Sequence, residues 1–186
     1  VRGVKQWVIT DTHLYHDAMV TKGLRKAGFT GKIFARARLP PDSTLYHLGD
    51  VLFYRREEVA RYVQACGCRV ILIRGNHDTA SDSWYVRQGF SACLTYAAVG
   101  DILLSHRPVP PSSFPPGITG NLHGHWHGPA PRLTGVAPAW WSTSTHFSLS
   151  CEQHGYAPIP FDSVRSALLT ARGSGVPDGG PSADGG

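Results

Sequence analysis

The sequence predicts an α/β fold in which at least part of one sheet is parallel. Apolar runs rich in β-branched residues, such as Val70-Ile71-Leu72-Ile73, recur along the chain and read as buried strands. Residues 55–66 lie between two such runs and place Val59, Tyr62 and Val63 at helical spacing. Strand, helix and strand in succession make a βαβ unit, whose strands run parallel. A third observation concerns the strand ends. Several of them stop at glycine or histidine and then present carboxylate, amide or imidazole groups, and strands of one sheet can direct their ends into one cleft.

The 186 residues are 41% hydrophobic and 17% charged, which suits one domain over residues 1–172. Residues 173–186 are rich in Gly, Pro, Ser and Asp and are expected to be a disordered tail. A formal net charge of +5 suits an anionic ligand such as a phosphate ester or nucleic acid, but the positive charge is spread along the chain and also suits general solubility. No secretory signal or membrane-length apolar run is visible, so the four cysteines are expected to be free thiols in a reducing cytoplasm. Cys66-Gly67-Cys68 is too close for a zinc knuckle and has no matching second pair.

The first strand, Trp7-Val8-Ile9-Thr10, runs into Asp11-Thr12-His13, where residues two apart share a side and can hold one metal ion together. His16 lies three residues on, where it can support the site or touch substrate. Residues 14–40 read as irregular. They interleave basic residues with Phe29 and Phe34, a pattern that suits either a nucleic-acid wall or a surface segment with two buried rings, and the second reading is preferred. The strand over residues 44–48 ends at Gly49-Asp50, where glycine permits close backbone approach. His47 reads as packed or hydrogen-bonded. After the helix over residues 55–66, the strand over residues 69–73 leads into Arg74-Gly75-Asn76-His77-Asp78. There Asn76 offers a neutral oxygen ligand, His77 a ligand or proton donor, and Asp78 a carboxylate able to hold that histidine in one tautomer. The Cys-x5-Arg spacing of Cys68 and Arg74 is a false lead, since five residues dominated by Val, Ile and Leu extend rather than curl around phosphate.

Residues 81–89 read as a short helix. The strand over 101–105 ends at His106, and a proline-rich loop follows over 108–116. Asn121-Leu122-His123-Gly124-His125-Trp126-His127-Gly128 then carries three histidines, of which His123 and His125, or His125 and His127, share a face if extended. A loop over 129–142, a strand over 145–151 and a helix over 163–172 capped by Asp162 complete the reading. The donors at these ends are nitrogen and oxygen with no thiolate, a set that favours two divalent ions over a structural zinc.

The ordered motifs Asp-x-His, Gly-Asp, Gly-Asn-His-Asp, His and Gly-His-x-His resemble those of the calcineurin-like metallophosphoesterase superfamily. Asp11-Thr12-His13 with His16, and Gly155-Tyr156-Ala157-Pro158 before a final helix, look like its compact bacterial and phage subgroup. The resemblance implies a four-layer αββα sandwich of two mixed β-sheets flanked by helices. It implies that Asp11, His13, Asp50 and His127 hold a first metal, and that Asp50, Asn76, His106 and His125 hold a second, with Asp50 bridging. His77 would face the leaving group, oriented by Asp78. The ions would be divalent, manganese first, with iron, zinc, cobalt, nickel or magnesium as alternatives. Two such ions can lower the pKa of a shared water, and the hydroxide so formed attacks phosphorus in line. The expected activity is phosphodiester hydrolysis on a phosphate-ester substrate such as a nucleotide. The alternatives are a nuclease acting on DNA or RNA and a non-catalytic scaffold. No membrane partner is expected.

Overall fold

Strand formation in this chain produces two mixed sheets, seen in a computed structural model that describes residues 3–127 and 137–173. The first sheet contains β1 (Gln6–Ile9), β2 (Thr44–His47), β3 (Arg69–Ile73) and β4 (Ala92–Leu94), all parallel, with β9 (Ile159–Pro160) antiparallel against β1. The second contains β5 (Tyr96–Val99), β6 (Ile102–Ser105), β7 (Gly120–His123) and β8 (His146–Ser148); β5 is antiparallel to β6 and the rest are parallel. The helices are α1 (Ala18–Thr21), α2 (Phe29–Arg36), α3 (Glu58–Cys66), α4 (Asp82–Arg87) and α5 (Phe161–Gly173).

Alternation along the strands sets the layers. Val70 and Leu72 of β3 face a core shared with Ile33 of α2, Val59 and Tyr62 of α3, and Tyr85 of α4. Ile71 and Ile73 face the other way, against Ile102, Leu104 and Leu122 of the second sheet. Helix α5 adds Phe161, Val164 and Leu168 to that inter-sheet core. Two mixed sheets flanked by helices are the predicted architecture.

Several elements differ from the sequence reading. Residues 14–40 are not irregular, because α1 and α2 lie within them. Phe29, Ile33 and Ala37 recur every fourth residue and are buried, but Gly31 inside the turn and Gly28 before it mask the helix. β4, β5 and β9 are two to four residues long, too short to show a period. The strand expected over 145–151 shortens to β8. Helix α5 begins at Phe161, so Asp162 sits in the first turn rather than at the cap, where its charge still favours the helix N-terminus. Residues 128–136, most of the loop expected over 129–142, and the expected tail beyond Gly173 lie outside the described residues. All four cysteines are free. Among the described residues no helix is long and apolar enough to cross a membrane.

Candidate metal centre

Five strand ends, of β1, β2 and β3 in the first sheet and β6 and β7 in the second, bring their following loops together. Backbone bonds lock the first two loops: Asp11 N–H donates to Gly49 O at 2.9 Å and His13 N–H to Asp50 O at 2.9 Å. Asp11, His13, Asp50, His125 and His127 all have positive φ, between 42° and 72°. Non-glycine residues rarely hold that conformation, and such strain persists where surrounding structure enforces it, often at functional sites. The positive φ at His125 and His127 also corrects the sequence reading: this segment does not extend past β7, and no simple alternation orders its histidines.

The loops form two groups. Asp11, His13 and His127 make one, and Asp50, His106 and His125 the other; within each, one ligand atom per residue lies within 4.8 Å of the others. Asp50 Oδ2 lies between them, 3.6 Å from His13 Nε2 and 3.4 Å from His106 Nε2. Asn76 Oδ1 is 3.1 Å from His106 Nε2, beside the second group. The structure thus brings together all seven residues expected to hold metal.

Hydrogen bonds prepare these atoms as ligands. His106 Nδ1 donates to Leu48 O at 2.8 Å, which leaves the Nε2 lone pair facing Asp50. His127 Nδ1 donates to Glu152 Oε1 at 3.3 Å, which leaves its Nε2 3.8 Å from Asp11 Oδ1. Asp11 Oδ2 accepts from Thr10 Oγ1 at 2.7 Å and His125 N–H at 2.9 Å. Asp11 Oδ1 and both ring nitrogens of His13 are buried without a hydrogen-bond partner. Buried acceptors are normally paired. Unpaired oxygen and nitrogen atoms facing one another fit a bound cation, and the donor set suits a divalent ion.

The charges are correspondingly perturbed. Burial pushes the Asp50 carboxyl up to about 6, opposed by the charge of His106 and reinforced by that of Asp11. Burial also acts to raise Asp11, but the His13 imidazole, 3.7 Å from its Oδ1, and the charges of His106 and His127 hold it well below the usual carboxylate range. Burial lowers His13 and His125 to about 4, keeping both neutral near pH 7 as ligands must be. For His127 burial is outweighed by Glu152 and Asp11, which raise it.

Glu152 was not signalled by the sequence. It follows β8 with no motif around it, yet it holds His127 and forms an ion pair with Arg25 at 2.7 Å. Burial would raise its carboxyl, but the His127 hydrogen bond and the Arg25 charge bring it down to about 2. Arg25, whose side chain is fully buried, also donates to the carbonyls of Thr12 and Asp11 and lies over the Phe29 ring. Phe34 packs edge-on against Tyr62. Arg25 thus supports the centre from behind with Phe29 packed on it, while Lys22, Lys26, Lys32, Arg36 and Arg38 of the same segment are exposed.

His77 and Asp78 separate in role. The His77 N–H donates to Asp50 Oδ1 at 2.9 Å, and its side chain is 38% exposed, with Nε2 3.9 Å from Asp50 Oδ2. The sequence reading paired Asp78 with this imidazole. Instead its carboxylate accepts from the N–H groups of Asp50 at 2.8 Å, Val51 at 3.1 Å and Gly75 at 2.8 Å. Three converging backbone donors outcompete one exposed ring, so Asp78 ties the β2 and β3 loops together. His47 is packed as expected: Thr12 Oγ1 donates to Val51 O, so it accepts from His47 Nε2, and Gly49 N–H donates to Nδ1. His123 stays outside both groups, donating to Gly124 O and accepting from Trp141 Nε1. His16 stacks on Phe53, centroids 4.1 Å apart, with its ring 5.4 Å from His13.

Two glycines are required by close approach. A Cβ on Gly49 would lie 2.3 Å from Gly75 N, and one on Gly124 would lie 2.3 Å from Asp11 Oδ2.

Two mixed sheets with paired His and Asp groups at their facing strand ends define a metal-binding α/β protein. The chain belongs to the calcineurin-like phosphoesterase family, whose model matches residues 4–159. It is similar to the crystal structure of AQ665 from Aquifex aeolicus, a protein of unknown function, at 25% identity and a TM-score of 0.65, over 88% of this chain and 99% of that one. A nuclease, MPE from Pseudomonas putida, shares 20% identity at a TM-score of 0.46, over 66% of this chain and 61% of that one. No curated protein matches the sequence.

Proposed function

We propose that the protein is a phosphodiesterase dependent on two divalent metal ions, with manganese the first choice, contained in a domain over residues 1–172. The observation that carries this is the pair of candidate ligand groups, buried but for the half-buried His125, with the Asp50 carboxylate between them. Asp11, His13 and His127 would hold one ion, Asn76, His106 and His125 the other, and Asp50 both. Bound there, two ions supply an activated water and charge stabilisation for the phosphoryl oxygens.

The chain's own residues do the rest. Arg25 and Glu152 fix the His127 ring, Leu48 O fixes that of His106, and Asp78 holds the Asp50 loop in register. In hydrolysis the water oxygen bonds to phosphorus, the bond from phosphorus to the leaving oxygen breaks, and that oxygen takes a proton. His77 stands beside Asp50 with its ring partly open to solvent, and in this reading it would donate that proton. A nuclease activity would use the same groups on a longer substrate.

The test is metal titration by calorimetry with turnover of an aryl phosphodiester. Wild type is expected to bind two ions and to cleave the diester faster than the matching monoester. Asp50→Asn is expected to impair both sites together, whereas His13→Ala should weaken mainly one. Two ions bound normally by Asp50→Asn would remove the bridge from this reading.

A further inference from the structure

The second ligand group continues into a cavity of about 480 Å³ near the point where the chain crosses from β4 to β5. That volume falls within the ~300–1,000 Å³ of small-molecule sites. Asn76 and His106 form part of its wall. Leu103, Val109, Pro115 and the exposed ring of Tyr96 make it largely apolar, and the exposed Thr95 and Ser113 add hydroxyls.

Two arginines also line this space. The guanidinium of Arg74 is occupied by Asp82 Oδ1 at 2.9 Å and by the carbonyls of Asp78 and Ala80 at 2.6 and 2.8 Å. That of Arg107 makes one long hydrogen bond, 3.4 Å to Asn76 Oδ1, among the described residues. Its charge is left beside the second group, where it can meet a phosphoryl oxygen. His77 is not part of the cavity wall; its ring lies 5.5 Å from His13 and 4.7 Å from Phe53, against the first group.

A phosphodiester has two organic arms. With the leaving arm beside His77, the retained arm is directed towards the cavity, and a monoester would leave that space empty. A flat ring suits the exposed Tyr96 face, and donors and acceptors on its edge suit the Thr95 and Ser113 hydroxyls, which an alkyl chain would not engage. We propose that the cavity seats the retained arm of the diester and that this arm is a nucleoside, with its phosphate beside Arg107. The proposal rests on the phosphodiesterase reading above.

Two diesters with the same nitrophenolate leaving group test it: methyl p-nitrophenyl phosphate and thymidine 5′-p-nitrophenyl phosphate. The metal-reconstituted full chain is expected to show kcat/KM at least ~10-fold higher on the thymidine diester, the scale of one stacked base. The ratio of the two values is taken within each variant, so a partly folded preparation does not distort it. It should fall towards one in Thr95→Trp, which fills the cavity from its rim, and fall several-fold in Tyr96→Ala. A wild-type ratio near one, or a ratio unchanged in both variants, overturns the proposal. If neither diester is cleaved, the phosphodiesterase reading fails and binding decides the cavity. Thymidine 5′-monophosphate should then bind at least ~10-fold more tightly than methyl phosphate and lose that margin in Thr95→Trp, and equal affinities overturn the assignment.

Discussion

The Glu152 carboxylate sits between a metal-ligand candidate and a buried cation, and its replacement separates those duties. Glu152→Ala removes the acceptor that orients His127 and leaves the Arg25 guanidinium buried without its partner. Metal affinity at the Asp11 group is expected to fall ~10–100-fold, as for other residues that orient a ligand, and the fold should lose stability. Glu152→Gln keeps an oxygen for His127 and should lose less; calorimetric titration of both variants checks the ranking. At His77 the expectation concerns the leaving group. His77→Ala should keep both metals yet lose ~10²–10⁴-fold in kcat on a nucleotide diester. The loss should be far smaller on an aryl diester, whose nitrophenolate departs without a proton. Equal losses under single-turnover conditions would assign His77 to the phosphoryl oxygens instead. Sequence shows the ligand candidates because Asp, Asn and His at strand ends have little other reason to cluster. It does not show Glu152, Arg25 or the backbone bonds of Asp78, since a residue that acts through tertiary contacts leaves no local spacing.

Each loop of the centre departs from a strand, and the strands give those loops their precision. Gly124, just past β7, shows how little slack remains, since a Cβ there would meet Thr10 Oγ1 at 2.1 Å as well as the Asp11 carboxylate. Gly124→Ala is therefore expected to displace Asp11 and weaken the first metal site, while the far-UV spectrum stays that of wild type. Unchanged metal affinity would show that the loop yields more easily than this packing indicates. The longer elements are legible from sequence because Val59, Tyr62 and Val63, or Val70 through Ile73, repeat a period often enough to detect. β9 has two residues, one of them Pro160, and becomes a strand only because β1 has an open edge beside it. Helix α2 is hidden for another reason, as its buried Phe29 and Ile33 are diluted by Gly31 and two basic residues.

For the whole molecule, buried neutral histidines set the response to acid. His47 is held by burial at about 3, and its two hydrogen bonds specify the neutral Nε2–H form. Burial also lowers His146. A folded pKa below the unfolded value of 6.5 gives stability that is complete above pH 6.5 and is lost as pH falls from there towards the folded value. Asp50, raised to about 6, works in the opposite direction, contributing most below its unfolded value of 3.8 and losing that contribution as pH rises through 6. Urea unfolding of the metal-free protein is expected to show falling stability from pH 7.5 to 4.5. His47→Gln should be weaker at pH 7.5 and less sensitive to acid, so that the two curves converge; parallel curves would exclude this account. The division of each ligand group between two sheets has a further consequence during synthesis. A nascent chain extending through β3 and Asn76 already carries Asp11, His13 and Asp50, but His106, His125 and His127 are still to be added. Its carboxylates have no closing histidines, and Glu152 follows later still. Binding of an ion by either complete group would therefore have to follow synthesis of both sheets, and a chain released early would carry the first acids of the site without the histidines that complete it.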